Sequence, residues 1–274
     1  MSGLHRIALF LLLATSIGHA ADADETRIVF PAQTSQGSLV IGKVPPASRV
    51  SYADRELRIT PYGTVVFGVG RDEQGPLKIA VTLANGRSES ARIEVVPRQW
   101  PVEKVDGVPP KTVDPPPAIA ARIAREQAAV AATRQRDDAR TDFTEHFIRP
   151  VEGRISGRFG NQRVYNGKPG APHSGMDIAA ATGTQVKAPA SGIVSFADAD
   201  LYLTGGTLVI DHGHGVSSTF LHLSRIDVAV GDIVKQGQVI AAVGATGRAS
   251  GPHLHWGINW FDVRIDPQLV LGQP

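Results

Sequence analysis

The sequence predicts a mainly β protein, in which two β domains are joined by a proline-rich linker and one helix. Short runs of β-branched and apolar residues, separated by glycine-containing turns, recur in both halves of the 274-residue chain. Prolines cluster between the halves, and an alanine-rich stretch follows them. With 42% hydrophobic and 20% charged residues, the chain has enough apolar side chains for a substantial core.

The first 20 residues have the pattern of a cleaved signal peptide. Arg6 precedes an apolar run from Ile7 to Ile17, and the small residues Gly18 and Ala20 occupy the positions that a signal peptidase reads. The run is about 11 residues long, whereas a membrane span needs about 20. We therefore expect residues 1–20 to be removed, leaving a periplasmic or secreted protein with no membrane span.

Residues 21–97 are expected to form the smaller domain, a β-sandwich-like unit. Its Asn85-Gly86 dipeptide is a strong hairpin signal. The segment contains no histidine, so we expect no catalytic site in it. The predicted strands are Ser38–Gly42, Thr64–Gly70, Leu77–Leu83 and Ala91–Val96.

Residues 98–145 are expected to be a linker followed by a helix. The proline runs at 109–110 and 115–117 predict an extended chain that is poorly suited to a core. The following stretch, Ala118–Arg140, predicts a helix in which Arg122 faces Glu126 one turn later. Its apolar stripe is thin, so we expect it to lie along a domain as a spacer.

Composition excludes several classes of function. The net charge of +2 and the 6% aromatic content argue against a nucleic-acid-binding protein. The absence of cysteine excludes disulfides, thiolate catalysis and cysteine-ligated zinc. The ligands of any bound metal ion must therefore be histidine or carboxylate side chains.

Histidines cluster in residues 146–274, which we expect to form an antiparallel β-sheet domain. His173 and Asp177 are four residues apart, while His253 and His255 alternate along a predicted strand whose Leu254 would face the core. Each pair alone is a weak signal. Together with His222, which apolar residues flank, they indicate a metal site. Two imidazoles and one carboxylate suit zinc and leave the open position of a catalytic site.

Several motifs together resemble the lysostaphin-type, LytM-like zinc endopeptidases, which cut peptidoglycan. The resemblance covers about residues 148–268. It implies that His173, Asp177 and His255 bind one Zn²⁺ ion per chain and that His222 and His253 are catalytic. The motifs are Gly153–Gly160, His173–Ala179, Val209–Gly213, His222–Ser224 and Gly247–His255.

The resemblance implies hydrolysis of the peptide crosslinks of peptidoglycan in cell-wall remodelling. We expect the D-Ala–diaminopimelate bond, because the wall-binding module of secreted Gly–Gly-cutting relatives is not found in this sequence. No glutamate follows a ligand histidine as in the His-Glu-x-x-His metalloproteases, so a histidine must act as the general base. The alternative is a noncatalytic activator that docks on another cell-wall hydrolase through its groove, which the complete ligand set disfavours.

Three positions outside the ligand set complete the predictions for this domain. Phe220 stands where many relatives have tyrosine, so a hydroxyl that would orient a partner is absent. His212 and His214 are expected to be turn residues rather than ligands. His146, which belongs to no motif, is expected to be a surface or packing residue.

Two hypotheses concern other segments. Residues 230–240 resemble a biotinyl/lipoyl-type hairpin, but a lipoyl carrier is disfavoured because no lysine sits at an isolated hairpin tip and because the histidines would be unexplained. The N-terminal β domain is expected either to contact and shield the groove or to be a spacer or wall-docking module.

Overall fold

A computed structural model describes residues 27–106 and 115–272 as small N-terminal sheets, one longer helix and a larger C-terminal sheet. The predicted fold class is confirmed. The predicted signal peptide, residues 1–20, lies outside the described residues, as do the prolines at 109–110.

The N-terminal half forms two small sheets. One is five-stranded, in the order β1-β7-β6-β3-β4, and the other pairs β2 with β5. All pairs are antiparallel except β1 with β7. Strand β6 buries Leu77, Ile79 and Val81 on one face, as its alternating pattern predicts. The strands of this half and the linker are β1 (Gln33–Ser35), β2 (Leu39–Lys43), β3 (Arg49–Tyr52), β4 (Arg55–Leu57), β5 (Thr64–Gly68), β6 (Leu77–Thr82), β7 (Ser88–Val96) and β8 (Val102–Val105).

The C-terminal half is built on an eight-stranded antiparallel sheet. Its strand order is β18-β14-β15-β16-β20-β12-β9, and β21 pairs with β20. A three-stranded sheet, β13-β19-β17, supplies Val186 and Ile240 to the same core. The strands are β9 (Arg154–Gly157), β10 (Gln162–Tyr165), β11 (Lys168–Pro169), β12 (Met176–Ala179), β13 (Gln185–Lys187), β14 (Gly192–Leu201), β15 (Gly205–Gly213), β16 (Val216–Leu223), β17 (Arg225–Ile226), β18 (Ile233–Val234), β19 (Val239–Ala242), β20 (His253–Trp260) and β21 (Val263–Ile265).

The two faces of the eight-stranded sheet differ. Leu254, Trp256 and Ile258 of β20 are fully buried in the core, on what we call the core face. The alternate residues His253 and His255 lie on the opposite face, which we call the site face. The prediction that both histidines share a face while Leu254 enters the core is therefore confirmed.

The linker takes part in the fold more than the sequence predicts. Strand β8 pairs in parallel with β10, which belongs to the hairpin that precedes His173. Beside it, the Trp100 ring packs edge-on against Phe159 at 5.8 Å between centroids. Residues 102–105 of the linker are extended, and they pair with the C-terminal half instead of running free. Pairing between segments about 60 residues apart leaves no local sequence pattern that could predict it.

Helix α1 (Pro117–Thr133) is shorter than predicted, and the expected end at Arg140 is wrong. The chain after Thr133 is held by tertiary bonds: the His214 backbone N–H donates to the Asp138 carbonyl at 3.0 Å. The predicted pair is confirmed, because Arg122 Nε lies 2.6 Å from Glu126 Oε1.

The single buried side chain of α1, Val130, packs against Leu201 and Val209 of the large sheet, in keeping with a thin apolar stripe. A one-turn 3₁₀ helix (Asp142–Thr144) and helix α2 (Pro267–Leu271) complete the described elements. Neither α1 nor α2 has the length and apolar character needed to cross a bilayer.

One apolar core runs from the N-terminal sheets into the large sheet. The Tyr52 ring lies 4.3 Å from the Phe67 ring and 6.2 Å from the Trp260 ring, measured between centroids. Arg98 Nη2 adds an ion pair of 2.8 Å with the buried carboxylate of Asp266. The N-terminal half is therefore packed against the end of β20 rather than held only by the linker.

Candidate active site and metal centre

Two adjacent strands and one loop bring the predicted ligands together. Asp177 of β12 lies directly opposite His255 of β20 in the antiparallel register. Residues facing each other across such a pair have side chains on the same face. His173 precedes β12, and its backbone N–H donates to the Asn161 carbonyl at 2.7 Å. The loop and the register together place three side chains from distant parts of the chain at one point.

The three ligand atoms are about equally spaced. His173 Nε2 lies 3.1 Å from Asp177 Oδ1 and 3.0 Å from His255 Nδ1. His255 Nδ1 lies 2.9 Å from Asp177 Oδ1. No other group of histidine and acidic side chains in the described residues has this metal-binding arrangement.

The chemistry of these atoms fits a cation. The His173 Nδ1–H donates to the Arg158 carbonyl at 3.0 Å, so in the neutral ring Nε2 carries a lone pair. That lone pair faces a carboxylate oxygen and a second imidazole nitrogen, an arrangement that only a proton or a metal ion makes favourable. Zinc binds nitrogen and oxygen ligands at about 2.0–2.2 Å, which three atoms spaced in this way allow. The carbonyl that fixes His173 is the usual outer partner of a ligand histidine.

The two remaining predicted site residues flank this group. The ring centroids of His222 and His253 are 4.8 Å apart, and His253 Nε2 lies 3.8 Å from Asp177 Oδ1. The His222 Nδ1–H donates to the Thr246 carbonyl, and the His253 Nδ1–H to the Gly251 carbonyl, each at 2.8 Å. In the neutral rings both Nε2 atoms are therefore free to accept a proton.

Residues 171–267 match the sequence profile of peptidase family M23. The fold agrees over most of the molecule. A crystal structure of a peptidase M23 protein from Pseudomonas aeruginosa is 32% identical, with a TM-score of 0.68, over 87% of this chain and 95% of that one. The chain belongs to peptidase family M23.

Curated M23 relatives match the C-terminal half. The DD-carboxypeptidase/endopeptidase Mpg of Neisseria meningitidis is 41% identical over 98 residues, which are 36% of this chain and 21% of that protein. The peptidoglycan DD-endopeptidase ShyA of Vibrio cholerae is 41% identical over 110 residues, which are 39% of this chain and 25% of that protein. This chain thus matches only about a fifth to a quarter of the length of each of these relatives.

Burial and hydrogen bonding set the charge of this M23 site. Burial alone would raise the pKa of the Asp177 carboxyl, but the adjacent imidazoles of His173 and His255 hold it well below its usual range. Burial lowers the pKa of His255 to about 4 and also lowers that of His222. At neutral pH Asp177 is therefore a carboxylate and the His222 and His255 rings are uncharged, which favours metal binding.

A backbone irregularity aims His222 at this site. His222 has a φ of +64°, and the pairing of β16 with β15 shifts register between Leu208 and Gly206. In a regular strand His222 would share the core face with Phe220. A β-bulge with a left-handed residue turns the side chain, a device that recurs beside active sites. Simple alternation would have predicted the wrong face for His222.

Phe220 lies on the core face, fully buried opposite Trp256. The hydroxyl that a tyrosine would add there is thus on the other side of the sheet from the site residues. His214 has a φ of +50° in the turn after β15, as predicted for a turn residue. The exposed side chain of His146 agrees with its expected place at the surface.

The prediction for His212 is wrong. It lies within strand β15, one residue before the end of the strand, and is fully buried. Its Nδ1–H donates to the Ser191 carbonyl at 2.6 Å, and its Nε2 accepts from the Ser218 hydroxyl at 2.8 Å. His212 is therefore a satisfied core residue; the strand extends beyond the apolar run that marked it in the sequence.

Thr246 is a site residue that the sequence analysis missed. Besides the carbonyl that holds His222, its hydroxyl accepts from the Gly206 N–H and donates to the Leu223 carbonyl, each at 2.9 Å. It thereby joins the loop before β20 to the strands on either side of the bulge. A threonine in a glycine-rich loop carries no local signal of this role.

Proposed function

We propose that this M23 metallopeptidase is a zinc-dependent endopeptidase that hydrolyses the D-Ala–diaminopimelate crosslinks of peptidoglycan. Family membership supports a peptidoglycan substrate in general terms. The finer substrate assignment draws on the relatives named as DD-endopeptidases, which match the C-terminal half at about 40% identity. The signal-peptide pattern of residues 1–20 supports action outside the cytoplasm, in the periplasm or after secretion.

One observation carries the proposal: the convergence of His173, Asp177 and His255 with His222 and His253 beside them. Relatives that only activate other hydrolases need no complete ligand set. Here all three ligand atoms lie within 3.1 Å of one another. This completeness favours an active enzyme over an activator.

The five site residues would have two different roles, metal binding and proton transfer. His173, Asp177 and His255 would hold Zn²⁺, which supplies Lewis acidity that activates water and polarises the scissile carbonyl. His222 and His253 bond backbone carbonyls through Nδ1 and lie beside the ligand group, with His253 Nε2 3.8 Å from Asp177 Oδ1. Their Nε2 atoms are therefore placed to accept the proton of the attacking water and return it to the leaving amine. Their Nδ1 bonds to backbone carbonyls fix the rings in the tautomer that this proton transfer requires.

Digestion of isolated peptidoglycan tests the proposal. The zinc-loaded protein should convert crosslinked muropeptide dimers to monomers with a new D-Ala carboxyl end, detected by mass spectrometry. His222→Ala should keep its zinc and its fold but lose roughly 10²–10⁴ in rate, because a proton-transfer group is gone. Intact dimers after incubation with zinc-loaded wild type would contradict the function, and full turnover by His222→Ala would contradict the role of that histidine.

A further inference from the structure

A row of polar side chains crosses the site face beyond the metal centre. Asp211 of β15, Ser217 of β16, Asn259 of β20 and Arg264 of β21 are successive cross-strand partners. Asn259 lies four residues after His255 on β20, so it shares the same face at a distance of about 13 Å. The row is therefore continuous with the floor that carries the metal ligands.

The floor of this row contains hydrogen-bonding groups without partners. Asn259 is 0% exposed and Ser217 is 3% exposed, yet Asn259 Nδ2 and Ser217 Oγ have no hydrogen-bond partner in the described residues. Arg264 Nη1 donates to Asn259 Oδ1 at 3.1 Å, which fixes the amide orientation and turns Nδ2 away from Arg264. Buried donors left in this way cost free energy unless something binds them.

Arg134 adds an unpaired charge at the same place. It follows helix α1, and its side chain is 8% exposed, with Nε unpartnered in the described part of the chain. Its neighbour Gln135 donates to Asp262 Oδ2 at 2.8 Å, which places it over the turn between β20 and β21. Burial and the nearby guanidinium of Arg264 lower the pKa of Arg134 to about 9, although Asp262 acts in the opposite direction.

The charges around the two arginines do not balance. Among residues 27–106 and 115–272, no carboxylate forms an ion pair with Arg134 or Arg264. Asp262 is exposed and bonded to Gln135. Asp211 is the other acid on this face, and its carboxylate already accepts hydrogen bonds from the Gly213 N–H at 3.0 Å and from Arg136 Nε at 3.4 Å. Asp262 acts on both arginines, so one carboxylate offsets only one of the two positive charges. The remaining positive charge is unfavourable in this largely buried place until an anion binds there.

We propose that Arg134, Arg264 and Asn259 form a carboxylate-binding subsite for the peptide substrate. The inference rests on the proposed peptidase function and adds the end of the substrate that is recognised. The subsite lies about 13 Å from His255, which is the length of about four residues of extended peptide. Its ligand is the free terminal carboxylate of the stem peptide whose crosslink lies at the metal. Two guanidinium groups and an amide N–H are the donors that such a carboxylate prefers.

Two substrates that differ only in that carboxylate test the proposal. The probes are a crosslinked muropeptide dimer with a free terminal carboxylate and the same dimer as its terminal amide. For the zinc-loaded wild type, kcat/KM should be about tenfold or more lower for the amide, through KM, because a bond to a charged group is lost. Arg134→Met and Arg264→Met should lower kcat/KM for the carboxylate dimer to the value for the amide.

Arg125→Met is the matched control. Arg125 is exposed on α1, so this variant has the same change in net charge but leaves the subsite intact. It should discriminate between the dimers as the wild type does. Arg134→Met should also unfold at the same or a higher temperature than the wild type, because a buried unpaired charge has been removed. If Arg134 served only to stabilise the fold, Arg134→Met would instead unfold at a lower temperature than the wild type.

The outcomes separate this subsite from the function itself. Equal kcat/KM for the two dimers in the wild type would overturn the subsite while leaving the peptidase function intact, and so would full discrimination by both arginine variants. If the wild type cleaves neither dimer, the proposed function fails. Calorimetric titration of the two dimers into the protein then decides the subsite: tighter binding of the carboxylate form supports it, and equal affinity overturns it.

Discussion

At the scale of single residues, the unusual backbone of His222 depends on Thr246. The threonine carbonyl fixes the imidazole, and its hydroxyl bonds both Gly206 and Leu223, the cross-strand pair next to the bulge. A non-glycine residue with positive φ is strained and persists only when its surroundings hold it. Thr246 is thus a positioning residue, acting through His222 without touching the ligand atoms.

Thr246→Val should lower kcat about tenfold or more while leaving KM and zinc content nearly unchanged. The second methyl group of valine fills the space of the hydroxyl, but both hydrogen bonds of the hydroxyl are lost. The orientation of the His222 ring is then less well fixed. Steady-state kinetics on muropeptide dimers, with zinc measured on the same samples, check this. Thr246→Ser, which keeps the hydroxyl, should restore most of the activity. Equal losses in the serine and valine variants would argue against the hydrogen-bonding role.

The ligand set gives a second prediction at this scale. Asp177→Ala or His173→Ala should reduce zinc occupancy by about an order of magnitude or more, because one of three protein ligands is lost. Elemental analysis of the purified proteins measures it. The matched control is Asp211→Asn, which alters a buried acid on the same face outside the ligand group and should bind zinc as the wild type does. Full zinc occupancy in both ligand variants would refute the assignment.

At the scale of elements, β15 and β16 enclose a buried chain of hydrogen bonds. The Trp256 Nε1–H donates to Ser218 Oγ at 3.3 Å, Ser218 donates to His212, and His212 donates to Ser191. Burial lowers the pKa of His212 to about 4 from an unperturbed value of 6.5. The folded protein therefore holds this imidazole neutral where the unfolded chain would protonate it.

The free energy of unfolding should fall as the pH decreases from about 6.5 toward 4. In this window His212 is protonated in the unfolded state and not in the folded state. The free energy of unfolding therefore falls by up to about 1.4 kcal/mol for each pH unit, and this decrease stops once the pH is below the pKa of the folded state. Urea denaturation at several pH values measures it. His212→Gln cannot titrate, so its stability should depend on pH less steeply. Identical slopes for both proteins would show that His212 does not contribute.

The elements also show what the sequence can predict. Strand periodicity gives β20 and the shared face of His253 and His255, because alternation is a local property. It cannot give the pairing of Asp177 with His255 or the parallel pairing of β8 with β10, because register depends on contacts between distant segments. The overlong helix prediction has the same cause: bonds from residues 134–140 to distant strands override local propensity. Composition and spacing indicated a metal site of histidine and aspartate, and the family resemblance implied which of these residues are ligands. The bulge at His222 and the bonds of Thr246 required the fold.

At the scale of the whole molecule, the N-terminal half is part of the support for the peptidase sheet. Gly68 approaches β20 and β21 so closely that an added Cβ atom would lie 2.8 Å from both Ile265 and Trp260. Arg71 Nε donates at 2.9 Å to the Gly160 carbonyl, in the loop that precedes His173. These contacts stabilise the outer strands and the ligand loop. Shielding of the groove by this half stays a prediction.

Removal of the N-terminal half should destabilise the peptidase sheet. A chain that begins at Thr144 would expose the apolar side chains of Trp260, Ile265 and Val209, and we expect a loss of roughly 5 kcal/mol or more in the free energy of unfolding. A chain that begins at Pro116 keeps α1 over Val209 and should lose less. Denaturant titration of both chains against a chain that begins at Ala21 checks the order. Equal stability of the Thr144 chain and the Ala21 chain would contradict the shared core.

The facing of Asp177 and His255 also limits how the gene can vary. Inserting or deleting one codon within β20 before His255 would exchange the two faces of the rest of the strand, sending the imidazole inward and an apolar side chain outward. The same change at 247–250, between the residues that hold His222 and His253, leaves the pairing of β20 unaltered. Among descendants of this gene, insertions and deletions are therefore expected in the loop and not in the strand. A change of one residue in the strand would remove His255 from the face that carries the other ligands.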